Sequence, residues 1–299
     1  MYLTGFADEA AGALPDQIRA TQELGWSNIE SRKIEGINIH SLDDRDFDRV
    51  VETLAGSGVT VNCFGSEIAN WQRQVTDPFE ETLELVERTI PRMLRLGTKM
   101  VRIMSYAVLN DSEGKVPEDQ KLEERCRRLR EIVTRFTDAG LTPVHENCMN
   151  YGGMSWRHSL ELVERVPGLK LVFDTGNPVS TDDFAQAPPR PKQSSWEFYH
   201  KVKAHIAYIH IKDKKRIPET GKMVHTFPGE GVGDVRKIVK DLLDGGYNGG
   251  ISMEPHLSAV VPDGEVASVE EIKYRNYVEY GRRFMKLLED IGHPWLEIK

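Results

Sequence analysis

The feature that most constrains this chain is a rhythm. Short runs rich in apolar and β-branched residues alternate with amphipathic helical stretches from end to end. The runs at 2–7, 28–34, 59–64, 99–104, 142–147, 169–174, 207–213 and 249–255 read as strands. A helical pattern follows each of them: Leu14 to Leu24, Leu42 to Leu54, Phe79 to Leu96, Glu118 to Ala139, Trp156 to Val166, Trp196 to Ala204, Val235 to Leu243 and Val269 to Ile291. Gly25, Gly58, Gly97, Gly140 and Gly245 sit where helices should end, because glycine tolerates the left-handed conformation there. Strands alternating with helices imply parallel crossovers. Eight such units in 299 residues predict one (β/α)8 TIM barrel spanning 1–299. An open doubly wound sheet is the competitor, but the first turn carries no glycine fingerprint and no Gly-rich phosphate loop is present. The stretch APPRPKQSS (187–195) falls between the sixth strand and its helix, so it is expected to be a long active-site loop.

Composition narrows the function classes. A net charge of −8 argues against polyanionic partners, so neither nucleic acid nor an anionic membrane is expected. No apolar run is long enough to predict a membrane span, and the N-terminus does not read as a signal peptide. The three cysteines, Cys63, Cys126 and Cys148, are dispersed and match no zinc-finger or disulfide pattern. A reducing, cytoplasmic setting is the simplest expectation. The helix around KLEERCRRLREIVTRF alternates arginine with glutamate and apolar residues, which reads as a solvated outer helix. A homo-oligomer is compatible with such a barrel, but no interface is legible.

The segment LTPVHENCMNY (141–151) begins as a buried strand and stops abruptly at His145-Glu146-Asn147. Catalytic groups of a barrel come from the C-terminal ends of its strands. Glu146 ends the fifth strand, Asp174 the sixth, His210 lies in the seventh and Glu254 ends the eighth. Neighbouring strands sit about 4.8 Å apart, so four side chains rising from them can converge. Three carboxylates packed that closely share protons or surround a cation. The oxygen-rich donor set suits one divalent ion, Mn²⁺, Mg²⁺, Co²⁺ or Zn²⁺. Each residue alone has an ordinary explanation, as a capping or solvated carboxylate or a hydrogen-bonded core histidine. Four in register on successive strands carry more weight.

GFADEA at the first strand, HEN at the fifth, FDTGN at the sixth, HIKD at the seventh and EPH at the eighth resemble the xylose isomerase-like TIM barrel superfamily. That group holds sugar isomerases, epimerases, inosose dehydratases and type 2 AP endonucleases. The resemblance covers essentially the whole chain. It implies one divalent metal held by Glu146, Asp174, His210 and Glu254. It also implies that Glu146 and Glu254 are the catalytic acid/base pair. The chemistry is coherent on its own terms: two carboxylates can remove a proton beside a carbonyl and return it to the other face or to the neighbouring carbon.

Departures from the family pattern narrow the branch. The third and fourth strands end in NCFGSE and RIMSYA, without the histidines a three-metal nuclease needs, and Asn177 stands where nucleases and ketohexose epimerases carry a histidine. HEN and HIKD are closer to the inosose dehydratase and broad sugar phosphate isomerase/epimerase branches. The expected function is a metal-dependent isomerase or epimerase acting on a small carbohydrate. The alternatives are a lyase on an inosose or 3-keto-sugar, then a nuclease, then a non-catalytic binding barrel.

Four further residues are candidates for substrate contact. Lys212 follows His210 by two and shares its side of the strand. Asn177 follows Asp174, Glu30 ends the second strand and Glu230 lies in the glycine-rich FPGEGVGD. The ordinary alternatives are a solvent-facing Lys212, a surface pair between Glu30 and Arg32 or Lys33, and a simple turn at Glu230. His145 and His256 flank the glutamates and point away from them in a regular strand, so a supporting role is expected. Trp71 and Trp156 are candidate walls for a sugar ring.

Overall fold

Each apolar run becomes a parallel strand, and each amphipathic stretch becomes a helix laid against the sheet. The computed structural model describes residues 1–258 and 267–295. The strands are β1 (Tyr2–Gly5), β2 (Asn28–Ser31), β3 (Thr60–Gly65), β4 (Met100–Ile103), β5 (Thr142–Glu146), β6 (Lys170–Asp174), β7 (Ile206–Ile211) and β8 (Gly250–Met253). The helices are α1 (Leu14–Glu23), α2 (Asp44–Leu54), α3 (Phe79–Leu96), α4 (Leu122–Asp138), α5 (Trp156–Arg165), α6 (Ser195–Val202), α7 (Val235–Asp244) and α8 (Val269–Asp290). The sheet runs β1-β8-β7-β6-β5-β4-β3-β2, and a single bridge between Phe6 and Glu30 brings its two ends together. This is a nearly closed (β/α)8 barrel. Among the described residues no helix is long and apolar enough to cross a membrane.

The period of two along each strand sorts the side chains. In β7, Ile209 and Ile211 belong to the large core between sheet and helices. Tyr208 instead packs with Cys63, Val144 and Val172 in a separate cluster inside the barrel. Two residues further on, the same inward faces carry His210, Glu146 and Asp174, because successive side chains alternate. The apolar plug therefore lies directly beneath the polar residues, and the strand ends open onto the active face.

The differences from expectation have local causes. Gly25, Gly58, Gly97 and Gly140 adopt left-handed φ values of 71–73°, but the residue doing so after α7 is Gly246 (φ 83°), one beyond Gly245. Helix α4 starts four residues late. Gln120 turns its side chain onto Leu109, accepting from Leu109 N at 2.8 Å and donating to its carbonyl, which holds the preceding segment as a loop. Arg125 is fully buried on the inner face of this amphipathic helix. Its guanidinium donates to the carbonyls of Ser105, Ala107 and Gln120, and so pins the loop that leaves β4. The 187–195 loop does not line the cavity. Gln193 donates to the carbonyls of Gly153 and Met154 and ties the loop to the turn after β5.

Two short antiparallel ribbons decorate the barrel. Lys33–Ile34 pairs with Ile37–Asn38, and Asp213–Arg216 pairs with Met223–Thr226. The first leads to His40, which is fully buried with both ring nitrogens unpartnered. Burial, followed by the charges of Arg92, Arg88 and Arg102, pushes its pKa down from 6.5 to about 4. The folded chain then binds fewer protons than the unfolded chain between those values, so stability falls as pH drops through the window. His40 alone should make the protein roughly 2 kcal/mol less stable at pH 5 than at pH 7. Urea unfolding at both pH values should show that loss in the parent and a visibly flatter dependence in His40→Leu. An equal slope in the two proteins would remove His40 as the cause.

Candidate metal and acid/base site

Strands β5 to β8 deliver Glu146, Asp174, His210 and Glu254 to one point. All four are buried, and one ligand atom from each lies within 4.8 Å of the others. Asp174 registers directly with His210 across β6 and β7, and Ser252 registers with His210 across β7 and β8, which places Glu254 just above. His210 Nδ1 stands 3.8 Å from Glu146 Oε1 and 3.9 Å from Glu254 Oε2.

The surroundings hold these groups in fixed roles. Glu30 lies fully buried with a carboxylate oxygen 3.0 Å from His210 Nε2. That contact commits Nε2–H to Glu30 and turns the Nδ1 lone pair toward the cluster. Burial alone would lower the pKa of His210, but Glu30 and Glu146 raise it to about 10. Arg102 from β4 donates to Glu146 Oε2 at 2.9 Å. Against the upward push of burial, its charge holds the Glu146 pKa at about 2. Burial likewise disfavours the charged Glu254, yet Lys212 and His256 keep its pKa well below the usual value. Asp174 goes the other way, to about 6, because burial outweighs Lys212 and the neighbouring carboxylates add to the effect. Its Oδ1 still accepts from the backbone N–H groups of Gly176 and Asn177.

The donor set fits a divalent cation. Asp174 Oδ2, His210 Nδ1 and Glu254 Oε2 are buried without a hydrogen-bond partner. Unpaired buried polar atoms are costly, and a cation among them would satisfy all three. Lys212 Nζ currently lies 2.7 Å from Glu254 Oε2 and 3.1 Å from Asp174 Oδ2, so its ammonium and a divalent ion are alternative partners for those oxygens. A second group, Glu9, Glu254 and His256, also clusters. There Arg32 and His256 both already contact Glu9 and Glu254.

The site opens into a cavity of about 620 Å³ on the active face. Glu146, Asn177, Lys212 and Glu254 line it. Asn177 joins two of them, donating to Glu146 Oε1 at 3.2 Å and accepting from Lys212 Nζ at 3.3 Å. Lys212 is almost completely buried, not solvent-facing. Two of the expected substrate contacts are elsewhere. Glu30 sits behind His210 without access to the cavity, since barrel closure at Phe6 seals it in. Glu230 is half-exposed and paired with Arg283 on α8 at 2.7 Å, because its loop folds outward. Trp71 lines the cavity mouth, whereas Trp156 opens α5 and lies outside. His256 contacts Glu254 at 2.9 Å and Glu9 at 3.1 Å, and His145 contacts Ser105 Oγ at 2.9 Å.

Other members of the site escaped the sequence reading. Arg102 was signalled only by an isolated arginine in the apolar run KMVRIM. Arg32 ties Asp8 and Glu9 of GFADEA to Glu254, contrary to a surface pair with Glu30. Asn147, next to the catalytic candidate, brackets Asp174 by accepting from its N–H and donating to its carbonyl. Asp213 accepts from the N–H groups of Gly229, Gly231, Gly233 and Lys214, each at 2.9 Å. A side chain on Gly231 would collide with Asp213 and the Lys214 carbonyl, which explains the glycine-rich loop without a phosphate.

The family model for the xylose isomerase-like TIM barrel matches residues 18–278. The chain belongs to that family. No curated protein matches it. Among solved structures it is similar to a xylose isomerase-like TIM barrel protein from Mycobacterium smegmatis in complex with magnesium, at 18% identity and TM-score 0.67, covering 96% of this chain and 97% of that one. It is also similar to the probable 3-DHS dehydratase AsbF of Bacillus anthracis, at 16% identity and TM-score 0.66, covering 93% and 97%. A third is D-allulose 3-epimerase from Methylomonas sp. in complex with D-allulose, at 15% identity and TM-score 0.65, covering 96% of each chain. At these identities the likeness establishes the fold.

If Glu30 orients His210 for a metal, Glu30→Gln should weaken Mn²⁺ binding by about 10- to 100-fold. Calorimetric titration reads the affinity, and circular dichroism checks that the variant is folded. An unchanged affinity in a folded variant would show that Glu30 serves the core alone.

Proposed function

We propose that this protein is a divalent-metal-dependent isomerase or epimerase acting on a sugar or sugar derivative. The observation that carries the proposal is the meeting of Glu146, Asp174, His210 and Glu254 from four consecutive strands, with one buried ligand atom from each within 4.8 Å of the others. The magnesium complex and the epimerase among the structural relatives support the same reading.

Glu146, Asp174, His210 and Glu254 would hold the ion. Once bound, it would polarise the substrate oxygen and stabilise the negative charge of an enediolate. The remaining chemistry belongs to the protein. Glu146 and Glu254 both line the cavity and are both ionised, so either can accept a proton from carbon. They rise from β5 and β8, with two strands between them, and so approach a common point from different directions. One takes the proton beside the carbonyl. In isomerisation the same glutamate returns that proton to the adjacent carbon. In epimerisation the other glutamate, having first taken up a proton from solvent, delivers it to the opposite face, and the pair exchange protonation states over the turnover. Asn177 and Lys212 reach the same space and would orient hydroxyl or carbonyl oxygens.

A lyase is the second reading, favoured by His256. Burial lowers its pKa, but Glu254 and Glu9 outweigh that and raise it to about 9. A protonated imidazole beside Glu254 on the cavity wall can protonate a departing hydroxyl. The nuclease alternative draws less support, since the described residues form no second cluster of histidines and carboxylates at the ends of β3 and β4.

Two measurements test the proposal. Protein prepared without chelator, or titrated with Mn²⁺, should bind about one equivalent, and Glu254→Gln should bind it at least tenfold more weakly. No divalent-ion binding by the parent would overturn the metal site. Glu146→Gln should lose at least 100-fold in turnover while remaining folded. Near-parental turnover would remove Glu146 from the chemistry. Reactions run in D₂O separate the two readings: deuterium incorporation at constant composition marks an isomerase or epimerase, and loss of water or of a glycosidic group marks a lyase.

A further inference from the structure

Of the lysines that line the cavity, Lys33 is exposed and Lys214 is half-buried, and neither forms an ion pair among the described residues. Arg32 is paired with Asp8, Glu9 and Glu254, Arg102 with Glu146, and Lys212 with Asp174 and Glu254. The Lys214 ammonium donates to Ser180 Oγ at 2.9 Å. Burial and the charge of Lys212 disfavour the ammonium there more than Asp174 and Glu254 favour it, so an anion bound directly to Lys214 would offset that cost.

The ribbon that follows β7 places this lysine deliberately. Lys214 lies directly opposite His225 in the antiparallel register, so the two side chains project from the same face. Both line the cavity. Burial, then the charges of His256 and the two lysines, lowers the pKa of His225 to about 4, which leaves a neutral imidazole with an N–H to donate. Ser180, from the turn Pro178–Ser180 after β6, has its hydroxyl proton free because its oxygen accepts from Lys214. The base of the ribbon is fixed by the Asp213 carboxylate in its four N–H donors. The lysine ammonium, the serine hydroxyl and the neutral histidine can each donate a hydrogen bond to one group on this side of the cavity.

From this arrangement we propose that the substrate carries an anionic substituent, a carboxylate or a phosphate, and that Lys214, Ser180 and His225 bind it. The inference rests on the reading of the neighbouring carboxylate cluster as the reaction centre for a small carbohydrate. A charge-assisted hydrogen bond is stronger than a neutral one, so Lys214 would discriminate charged sugars from their neutral counterparts.

The test uses the Mn²⁺-loaded protein and its Lys214→Met and Lys214→Arg variants. Calorimetry measures binding of D-glucuronate, D-glucose 6-phosphate and neutral D-glucose, and a separate titration measures Mn²⁺ affinity. At least one anionic sugar should bind the parent about tenfold or more tightly than glucose. Lys214→Met should abolish that preference, Lys214→Arg should retain most of it, and Mn²⁺ affinity should not change. Loss of the glucuronate preference identifies a carboxylate site, and loss of the phosphate preference a phosphate site. Equal binding of all three sugars by the parent, no binding by either anion, or a preference that survives Lys214→Met would overturn the proposal. A parent that prefers an anionic sugar yet binds no Mn²⁺ would overturn the metal reading and leave this subsite standing.

Discussion

Three carboxylates converge inside the mouth of a barrel, and their mutual repulsion organises everything around them. Burial in a low-dielectric interior makes each charge expensive unless it is matched. Here each carboxylate meets a cation, and two of the cations are shared. Arg102 takes Glu146, Lys212 takes Asp174 and Glu254, and Arg32 gathers Asp8, Glu9 and Glu254. The cations come from β4, from just beyond β7 and from just beyond β2. The charge balance therefore ties together strands on both sides of the barrel and links the closure of the sheet to the integrity of the site.

Rigid support reaches the site through backbone groups as much as through side chains. Asn147 clamps the Asp174 peptide, and Arg125 clamps the loop leaving β4. Asp213 collects the N–H groups of the glycine-rich loop. The last of these changes the meaning of a motif. A loop with glycines at alternate positions suggests an anion cradle, and it is one, but the anion is the protein's own carboxylate. Its effect is to stiffen the ribbon that carries Lys214 and His225 toward the cavity.

The same geometry separates recognition from reaction. The ligand-type residues lie at the bottom of the cavity, over the apolar plug of Cys63, Val144, Val172 and Tyr208. Lys214, His225 and Ser180 lie on one wall, and Trp71 at the mouth. These residues come from the segments after β3, β6 and β7, where strand ends open to solvent and loop residues do not disturb the core.

What the sequence determined by itself was everything that follows from period. Alternation of strand and helix specified eight parallel units, because a helix and a strand bury different spacings of apolar residues. The two-residue pleat then placed Glu146, Asp174 and His210 on the face that their neighbours Val144, Val172 and Tyr208 fill below, so this part of the candidate site was legible from strand ends. Partnership was not legible. Glu30 could have met a sugar, but closure of the barrel buried it against His210. Glu230 could have met the site, but its loop turned outward to Arg283. Arg102, Arg32 and Asp213 gained their roles only when strands distant in sequence came together. A residue's local pattern reveals which way it points. Which charge it meets there depends on barrel closure and on the loops above it, and these bring together groups that no sequence spacing relates.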